Sequence, residues 1–392
     1  MFLWLTLAPS PLLQAAPPAA SSPVDFGRRE FLAALQARGL KPEKFKLVTE
    51  HSLVLPPDGY SIQGQLIRGG NLRGILYGLL EAAGQIRRNG RLNNIKTGPA
   101  FAVRGVRWER PLPEEIRPLF ESLARARINR FVAAHPGESL ERLRTVSELA
   151  WAHGIDFGVS VPFGESPARY LASLPRLKHI ECRAERSNLE EIAGSGRLVT
   201  LDLDAAGLEE AGFHAAVESR IPLLVTAEPG ASGGFFRKPE VTERVRAWQV
   251  VWRLKPSPAA GPGFVRNLMP ALAAGGASGF EVVAPGAPAP FFFEIWGQAG
   301  YDPTPRETMA VLGAKLAPAL LAALEAGSLL PPDTPLKPLE EAMEEPPGDP
   351  WTASPAGAAR NRIDGVSSAK SLPLDRSAQY DAAASVLESA SR

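Results

Sequence analysis

The sequence predicts an α/β protein in which a closed barrel of eight parallel strands, each followed by a helix, is preceded by a small α+β domain. Its 392 residues are more than one ordinary core needs and fit one large domain with a smaller one. From Phe101 onward, short apolar runs alternate regularly with amphipathic helical segments, as in βα units on a parallel sheet. Eight such runs occur, and eight is the number that closes a (β/α)8 TIM barrel.

The segment before the barrel has its own pattern of helices and strands. "RREFLAALQARG" is an amphipathic helix, "KFKLVTE" and "YSIQGQLIRG" are typical of strands, and "RGILYGLLEAAGQIRRNG" is a helix that ends at Gly90. Residues 23–100 are therefore predicted to form a small α+β domain with its own apolar faces.

The predicted barrel occupies residues 101–330. Its eight strands are short, rich in apolar or β-branched residues, and separated by helical segments, several of which stop at glycine. They lie at 103–109, 128–134, 155–161, 178–185, 198–204, 222–228, 247–254 and 278–285. The third unit has a short helix and the sixth is mostly loop.

The two ends of the chain differ from the domains between them. Residues 1–22 contain an apolar stretch of about a dozen residues followed by small residues, which favours a secretory signal over a membrane span. Residues 331–392 are predicted to form a Pro-rich connection and a helical tail. We expect a secreted or periplasmic protein that has no membrane contact once the signal is removed.

Composition excludes several classes of function. A formal charge of +1, from 43 basic and 42 acidic residues, gives no reason to expect nucleic acid as a partner. The single cysteine, Cys182, rules out a disulfide framework within the chain; a buried hydrophobe is its expected role, with thiol catalysis as the alternative. No spacing indicates a metal site, and no cofactor is predicted. The oligomeric state is not indicated.

Carboxylates are frequent at the predicted carboxyl ends of the barrel strands, where TIM barrels carry their active sites. The three predicted catalytic residues are Glu185, Glu228 and Glu281, after strands four and six and on strand eight. Glycoside hydrolysis needs one carboxyl group that stays protonated and another that stays ionised. Ion pairing at strand and helix ends is the alternative role for each of the three.

Five further residues are predicted to bind substrate. Glu109 and Trp108 end the first strand, His135 follows the second, Arg183 could orient Glu185, and Asp204 lies nearer the barrel mouth than Asp202 on the fifth. The indole of Trp108 could stack on a sugar ring. A salt bridge from Glu109 to a neighbouring arginine, a loop-capping His135 and core positions for the other tryptophans remain open.

Several segments resemble known glycosidases. "DGYSIQGQLIRGGNLRGILYGLLEAAGQIRRNG" resembles the small domain that precedes the barrel in family 67 α-glucuronidases and family 20 β-hexosaminidases, where "GY…I…G…G..YGL..L" recurs. "RGVRWERPLPEEIRPLFESLARARINRF" is similar to their first barrel unit, and "GIDFGVSV", "GASGFEVVAP" and "WGQAGYDPTPRE" look like α-glucuronidase segments. The resemblance covers about residues 50–385 and implies that the small domain is a structural accessory.

The same resemblance implies roles by strand order. It assigns Glu185 as general acid, with Glu228 and Glu281 as the further carboxylates. Hexosaminidase activity is disfavoured, because the first strand ends in Trp108 and Glu109 where family 20 has aspartate, and the adjacent Asp-Glu pair is missing.

Three functions follow from these patterns. The first is an exported, α-glucuronidase-like glycoside hydrolase with a carbohydrate substrate. The second is an inactive carbohydrate-binding or structural barrel, which short barrel loops favour. The third, an enzyme acting on phosphorylated metabolites, has only a weak "APGAP" after strand eight in place of a phosphate-binding loop.

Overall fold

The computed structural model describes residues 22–135, 137–183, 185–204, 221–227, 249–254, 277–284 and 292–301, with a few positions between 265 and 273. The predicted signal segment and C-terminal tail lie outside these residues, as does Glu228. Among the described helices, none is both long and apolar enough to cross a membrane.

The N-terminal domain is a four-stranded sheet packed under two helices. Its sheet order is β1-β3-β2-β4, with β1 parallel to β3, and β2 antiparallel to both β3 and β4. Its elements are α1 (Pro23–Ala37), β1 (Val48–His51), β2 (Tyr60–Gln63), β3 (Leu66–Gly69), α2 (Leu72–Asn89) and β4 (Ile95–Thr97).

Helix α2 follows a pair of glycines, Gly69 at the end of β3 and Gly70 directly after it. Its first turn is capped by Asn71, whose Oδ1 accepts a hydrogen bond from the Gly74 amide at 2.7 Å, and it ends at Gly90 with φ 69°. A Cβ on Gly70 would lie 2.0 Å from the carbonyl oxygen of Pro56, and one on Gly74 would lie 2.4 Å from that of Gly59. The glycines therefore let the start of α2 pack directly on the loop between β1 and β2.

The second domain is a closed barrel of eight parallel strands, which confirms the predicted fold class. Each strand pairs with the next along the chain, and the last strand pairs with the first. The strands are β5 (Val103–Trp108), β6 (Arg130–Ala133), β7 (Asp156–Ser160), β8 (Leu177–Glu181), β9 (Thr200–Asp204), β10 (Leu223–Ala227), β11 (Gln249–Leu254) and β12 (Gly279–Val283).

Helices cover the outside of the barrel. Those within the described residues are α3 (Arg117–Arg125), α4 (Leu140–Ala152), α5 (Pro167–Ser173), α6 (Arg186–Gly194) and α7 (Phe292–Tyr301). Every predicted barrel strand is present, although its ends differ. The largest difference is in the fourth, β8, which ends at Glu181, four residues before the predicted end at Glu185.

The two domains are joined by buried polar contacts at the N-terminal ends of β5, β6 and β7. Asp58, at φ 63° and 3% exposed, accepts hydrogen bonds from Arg73 at 2.8 Å, Arg104 at 3.1 Å and Asn129 at 2.9 Å. Arg73 also donates to Asp156 at 2.9 Å. The accessory domain thus contacts the N-terminal end of the barrel, away from the rim where the strands end.

Helix α7 carries most of the "WGQAGYDP" segment and explains it structurally. Trp296 is fully buried in the barrel core, and a Cβ on Gly297 would lie 2.0 Å from the carbonyl oxygen of Ala126. Tyr301 reaches the accessory domain, where its hydroxyl donates to the Asp58 carbonyl at 2.9 Å and its ring stacks on Tyr60. The segment therefore fastens the two domains together.

Candidate active site

The lumen of the barrel contains at least one polar side chain from each of the eight strands. Successive side chains on a barrel strand point alternately inward and outward, so these eight share the interior. They are connected by hydrogen bonds and ion pairs, and we call them the lumen network. Its members are Arg107, Arg130, Ser160, Glu181, Asp202, Thr226, Arg253 and Glu281.

The lumen network lies above an apolar floor. Val103, Leu224 and Val251 form a separate buried cluster, and each precedes a member of the network on its own strand by two or four residues. Because the strands are parallel, the network lies on the carboxyl-terminal side of this floor. TIM-barrel enzymes have their active sites on that side.

Glu181 is the most accessible carboxylate of the lumen network. Its side chain is 13% exposed, whereas those of Asp202 and Glu281 are fully buried. Arg107 binds it through two nitrogens, Nη1 and Nη2, with Nη2 3.1 Å from Oε1. Arg253 donates to it at 2.9 Å and Ser160 at 3.1 Å.

These partners determine the ionisation of Glu181. Burial alone would raise its pKa, but the guanidinium groups of Arg107 and Arg253 and the hydrogen bonds outweigh burial and lower it. The carboxylate is consequently ionised at neutral pH, which suits a base or nucleophile and not a proton donor.

Asp202, beside Glu181 on the next strand, has the opposite ionisation behaviour. Burial, followed by the charges of Glu281 and Glu181, raises its pKa to about 6 against the opposing effect of Arg130, to which it is ion-paired. The lumen thus holds one carboxyl group with a lowered pKa next to one with a raised pKa. Asp202 is fully enclosed, so its raised pKa reflects burial in the network, and no substrate atom could reach it from the rim.

Glu281, predicted to be catalytic, is enclosed by the three arginines of the lumen network. Its oxygens lie 3.1 Å from Arg253, 3.3 Å from Arg130 and 3.9 Å from Arg107, and its side chain is fully buried. This position suits a carboxylate that holds guanidinium groups in place beneath Glu181.

Several buried polar atoms of the lumen have no partner among the described residues. They are Nε and Nη1 of Arg130, Oδ1 of Asp202 and Nδ1 of His179. Burial, and then the positive charge of Arg130, lowers the pKa of His179 well below its usual range, so its imidazole is neutral. Unpartnered buried groups of both kinds, donors and acceptors, are suited to bind internal water or a polar ligand.

The other predicted catalytic residues lie elsewhere. Glu185 is exposed at the start of α6, four residues beyond the end of β8, and its side chain does not cap that helix. Glu228, which directly follows β10 in the chain, is outside the described residues. Both remain sequence predictions.

The predicted substrate-binding residues are spread around the rim. Glu109 follows β5 and binds Arg107 Nε at 2.8 Å, His135 follows β6 with Nδ1 unpartnered among the described residues, and Asp204 is the last residue of β9. Arg183, which is exposed, stacks on the ring of Phe163 at 4.3 Å. Trp108 is 5% exposed, and its ring is covered by the guanidinium of Arg110 at 3.9 Å.

The structure bears on thiol chemistry and on metal binding. Burial raises the pKa of Cys182 to about 12, so its thiol is neutral and unsuited to nucleophilic attack. The described residues contain no group of three or more His, Cys, Asp or Glu side chains that could hold a metal ion.

Sequence reasoning missed Glu181, Arg107, Arg130 and Arg253 as site residues. Glu181 lies opposite Asp202 in the register of β8 and β9, and the sequence had already indicated that Asp202 and Asp204 share one face of β9. A shift in register between β7 and β8, at Phe157 and Gly158, disturbs the inward and outward alternation along β8 and concealed the relationship.

Comparison with known proteins finds similarity at the level of the fold. No family model matches the chain, and no curated protein matches it. A family 138 glycoside hydrolase that targets the pectin rhamnogalacturonan II aligns with a TM-score of 0.58 at 12% identity, over 79% of this chain and 54% of that one. The chain therefore spans about half the length of that enzyme.

Two other solved structures have lower scores. The chitobiase of Flavobacterium johnsoniae aligns with a TM-score of 0.43 at 13% identity, over 89% of this chain and 68% of that one. A truncated 3-deoxy-D-arabino-heptulosonate 7-phosphate synthase from Thermotoga maritima aligns with a TM-score of 0.36 at 14% identity, over 57% of this chain and 89% of that one. The chain has a TIM-barrel architecture with a small preceding domain, and its fold is similar to that of the family 138 glycoside hydrolase.

Proposed function

We propose that the protein is a glycoside hydrolase whose reaction centre is Glu181, at the carboxyl-terminal end of the barrel lumen. The observation that carries the proposal is the accessible, ionised carboxylate of Glu181, held by Arg107, Arg253 and Ser160 at the end of β8. A fixed, ionised carboxylate can attack an anomeric carbon or activate a water molecule. The likeness of the fold to a pectin-active hydrolase supports the same class of substrate.

The arginines give Glu181 a defined orientation. A guanidinium bound through two nitrogens fixes the plane of a carboxylate, and the second arginine limits rotation about the remaining bond. Glu281 contributes indirectly, since it holds Arg253 and Arg130 from below. We therefore assign Glu181 the role of base or nucleophile and Glu281 the role of a positioning residue.

The proton donor is proposed from sequence position. Glu185 follows β8 and Glu228 follows β10, and both strands end at the same rim of the barrel. Hydrolysis of aryl glycosides with good and poor leaving groups separates the roles. Loss of the donor, in Glu185→Gln or Glu228→Gln, should slow poor leaving groups selectively, whereas Glu181→Gln should slow both.

The α-glucuronidase-like specificity rests on the sequence resemblance, and export rests on residues 1–22. A panel of aryl glycosides, glucuronoxylan fragments and rhamnogalacturonan II fragments tests the first. N-terminal sequencing of the protein recovered outside the cytoplasm tests the second. Failure of the wild-type protein to release sugar from any member of the panel would remove the hydrolase proposal.

A non-catalytic carbohydrate-binding barrel is the second candidate. It is favoured by the charges of the lumen network, because its three arginines are matched by three carboxylates. Two of these carboxylates, Asp202 and Glu281, are fully enclosed. A network of this kind can fill a lumen without doing chemistry. Calorimetric binding of an oligosaccharide without release of product would support this candidate.

A further inference from the structure

Phe163 is an exposed aromatic side chain on the rim of the barrel. It lies in the loop between β7 and α5, and 79% of its surface is accessible to solvent. Other large exposed apolar residues among the described residues are aliphatic, such as Leu53 and Leu198. Water-exposed aromatic rings at the mouth of a barrel are suited to binding an apolar surface of a ligand.

The position of Phe163 is defined by the hydrogen bonding of β7 to β8. The backbone amide of Val161 donates to the carbonyl of Glu181 at 2.8 Å. Phe163 and Arg183 each lie two residues beyond this pair, on neighbouring chain segments. Two residues span about 7 Å at most, so Phe163 and Arg183 lie near the carboxyl-terminal ends of β7 and β8, close to Glu181.

Arg183 and Phe163 form a stacked pair. The guanidinium carbon lies 4.3 Å from the ring centroid, and both side chains are exposed. The planar guanidinium presents hydrogen-bond donors beside the apolar face of the phenyl ring. The pair can therefore contact both parts of a sugar unit. The phenyl ring suits the C–H face of the sugar, and the guanidinium suits its hydroxyl or carboxylate oxygens.

We propose that Phe163 and Arg183 form a second binding subsite, which takes the sugar unit adjoining the one that reacts at Glu181. The inference rests on the proposed function, because it takes Glu181 as the reaction centre. Its consequence is that the protein acts on oligosaccharides and distinguishes them from single sugars. The ring of Phe163 supports the neighbouring unit, and Arg183 donates to its oxygens.

Calorimetry with uronate-containing oligosaccharides of one to four sugar units, from glucuronoxylan and from polygalacturonate, tests the subsite. For the wild-type protein we expect at least a tenfold gain in affinity between one unit and the longer chains. In Phe163→Ala this gain should disappear while binding of the single unit is unchanged. Phe163→Trp should retain it, and Arg183→Ala should reduce it.

The matched control is Leu198→Ala, which removes an equally exposed apolar side chain before β9. It should leave the length dependence intact. Equal gains with chain length in the wild type and in Phe163→Ala would overturn the subsite. Loss of a dimer or of a bound protein in Phe163→Ala, with oligosaccharide affinity unaltered, would assign the ring to protein contact and overturn it as well.

The experiment separates the two proposals. If the protein hydrolyses aryl glycosides but the gain in affinity with chain length is the same without Phe163, the hydrolase proposal stands and the subsite is rejected. A length dependence that requires Phe163, in a protein that releases no sugar, retains the subsite and rejects hydrolysis. Absence of binding to every oligosaccharide rejects both.

Discussion

Arg107 on β5 and Glu181 on β8 are joined across the barrel lumen by two parallel hydrogen bonds. The pair connects the first strand of the barrel with the fourth and lies next to Arg253 from the seventh. Glu181 is the least buried carboxylate of a network that includes a side chain from every strand. Its chemistry and its contribution to stability lead to the following predictions.

Replacement of Arg107 should change the pH dependence of catalysis. The Arg107 guanidinium lowers the pKa of Glu181, so Arg107→Met should raise that pKa and move the acidic limb of the kcat/KM profile to higher pH, by about one unit or more. Arg107→Lys keeps the charge and should move it less. Arg176→Met, which removes an exposed ion pair with Glu148, serves as the control. An unmoved acidic limb in Arg107→Met would show that Glu181 does not control it.

Asp202 should make the stability of the protein depend on pH in a direction opposite to that of most carboxylates. Its pKa is raised in the folded state from 3.8 to about 6. The folded state therefore holds a proton that the unfolded state releases between about pH 4 and pH 6. Stability from this group is complete below about pH 4 and is lost as the pH rises through 6.

Asp202→Asn removes this dependence. Each pKa unit corresponds to about 1.4 kcal/mol, so between pH 4 and pH 7 the variant should gain about 2–3 kcal/mol relative to the wild type. Urea unfolding of both proteins across this range measures the difference between their free energies of unfolding. Contributions from other titrating groups are present in both proteins and largely cancel in that difference. A difference that stays constant with pH would contradict the assignment.

Asp58 should be essential for the stability of the joined domains. Asp58→Asn keeps a residue type that tolerates the positive φ of this position, but it leaves Arg73 and Arg104 without their shared carboxylate. Breaking a buried pair of this kind costs about 3–5 kcal/mol. Glu50→Gln breaks the exposed pair with Arg68 and should cost under about 1 kcal/mol. Similar unfolding midpoints for the two variants would argue against the buried network.

The glycine pair before α2 gives a prediction about packing. Gly70→Ala should destabilise the protein by more than about 2 kcal/mol, because its Cβ would meet the backbone oxygen of Pro56 at 2.0 Å. Gly84→Ala, inside α2, meets only the flexible end of Arg88 and should be neutral or stabilising. Thermal unfolding compares the two. A mild effect of Gly70→Ala would mean that the turn can relax.

The fold could be predicted because its signals are local. Eight apolar runs separated by amphipathic helices specify parallel βα units, and every predicted strand is present in the barrel. The second helix of the accessory domain could also be predicted, because its amphipathic pattern stops at Gly90. The contact that places this domain at the N-terminal end of the barrel could not be predicted, because it joins Asp58, Arg104 and Asn129, which are far apart in sequence.

The candidate site was only partly accessible from sequence. Glu281 was predicted to be catalytic and Asp202 to share a strand face with Asp204. Nothing local indicated that Arg107, Arg130 and Arg253 would enclose these carboxylates. Arg107 was considered only as a neighbour of Glu109, whereas in the closed barrel its side chain lies in the lumen beside Glu181. The predicted fourth strand, "KHIECRAE", ran to Glu185, and the catalytic assignment was made at that end and not at Glu181.

Turnover of Glu181→Gln on the best aryl glycoside of the panel tests the central claim most directly. Glu190→Gln is the matched control, because Glu190 is an exposed residue of α6 that pairs only with Arg186 among the described residues. We expect Glu181→Gln to lose at least about a thousandfold in kcat, because the base or nucleophile is removed. The control should retain full activity. A folded Glu181→Gln protein with wild-type turnover would contradict the central claim.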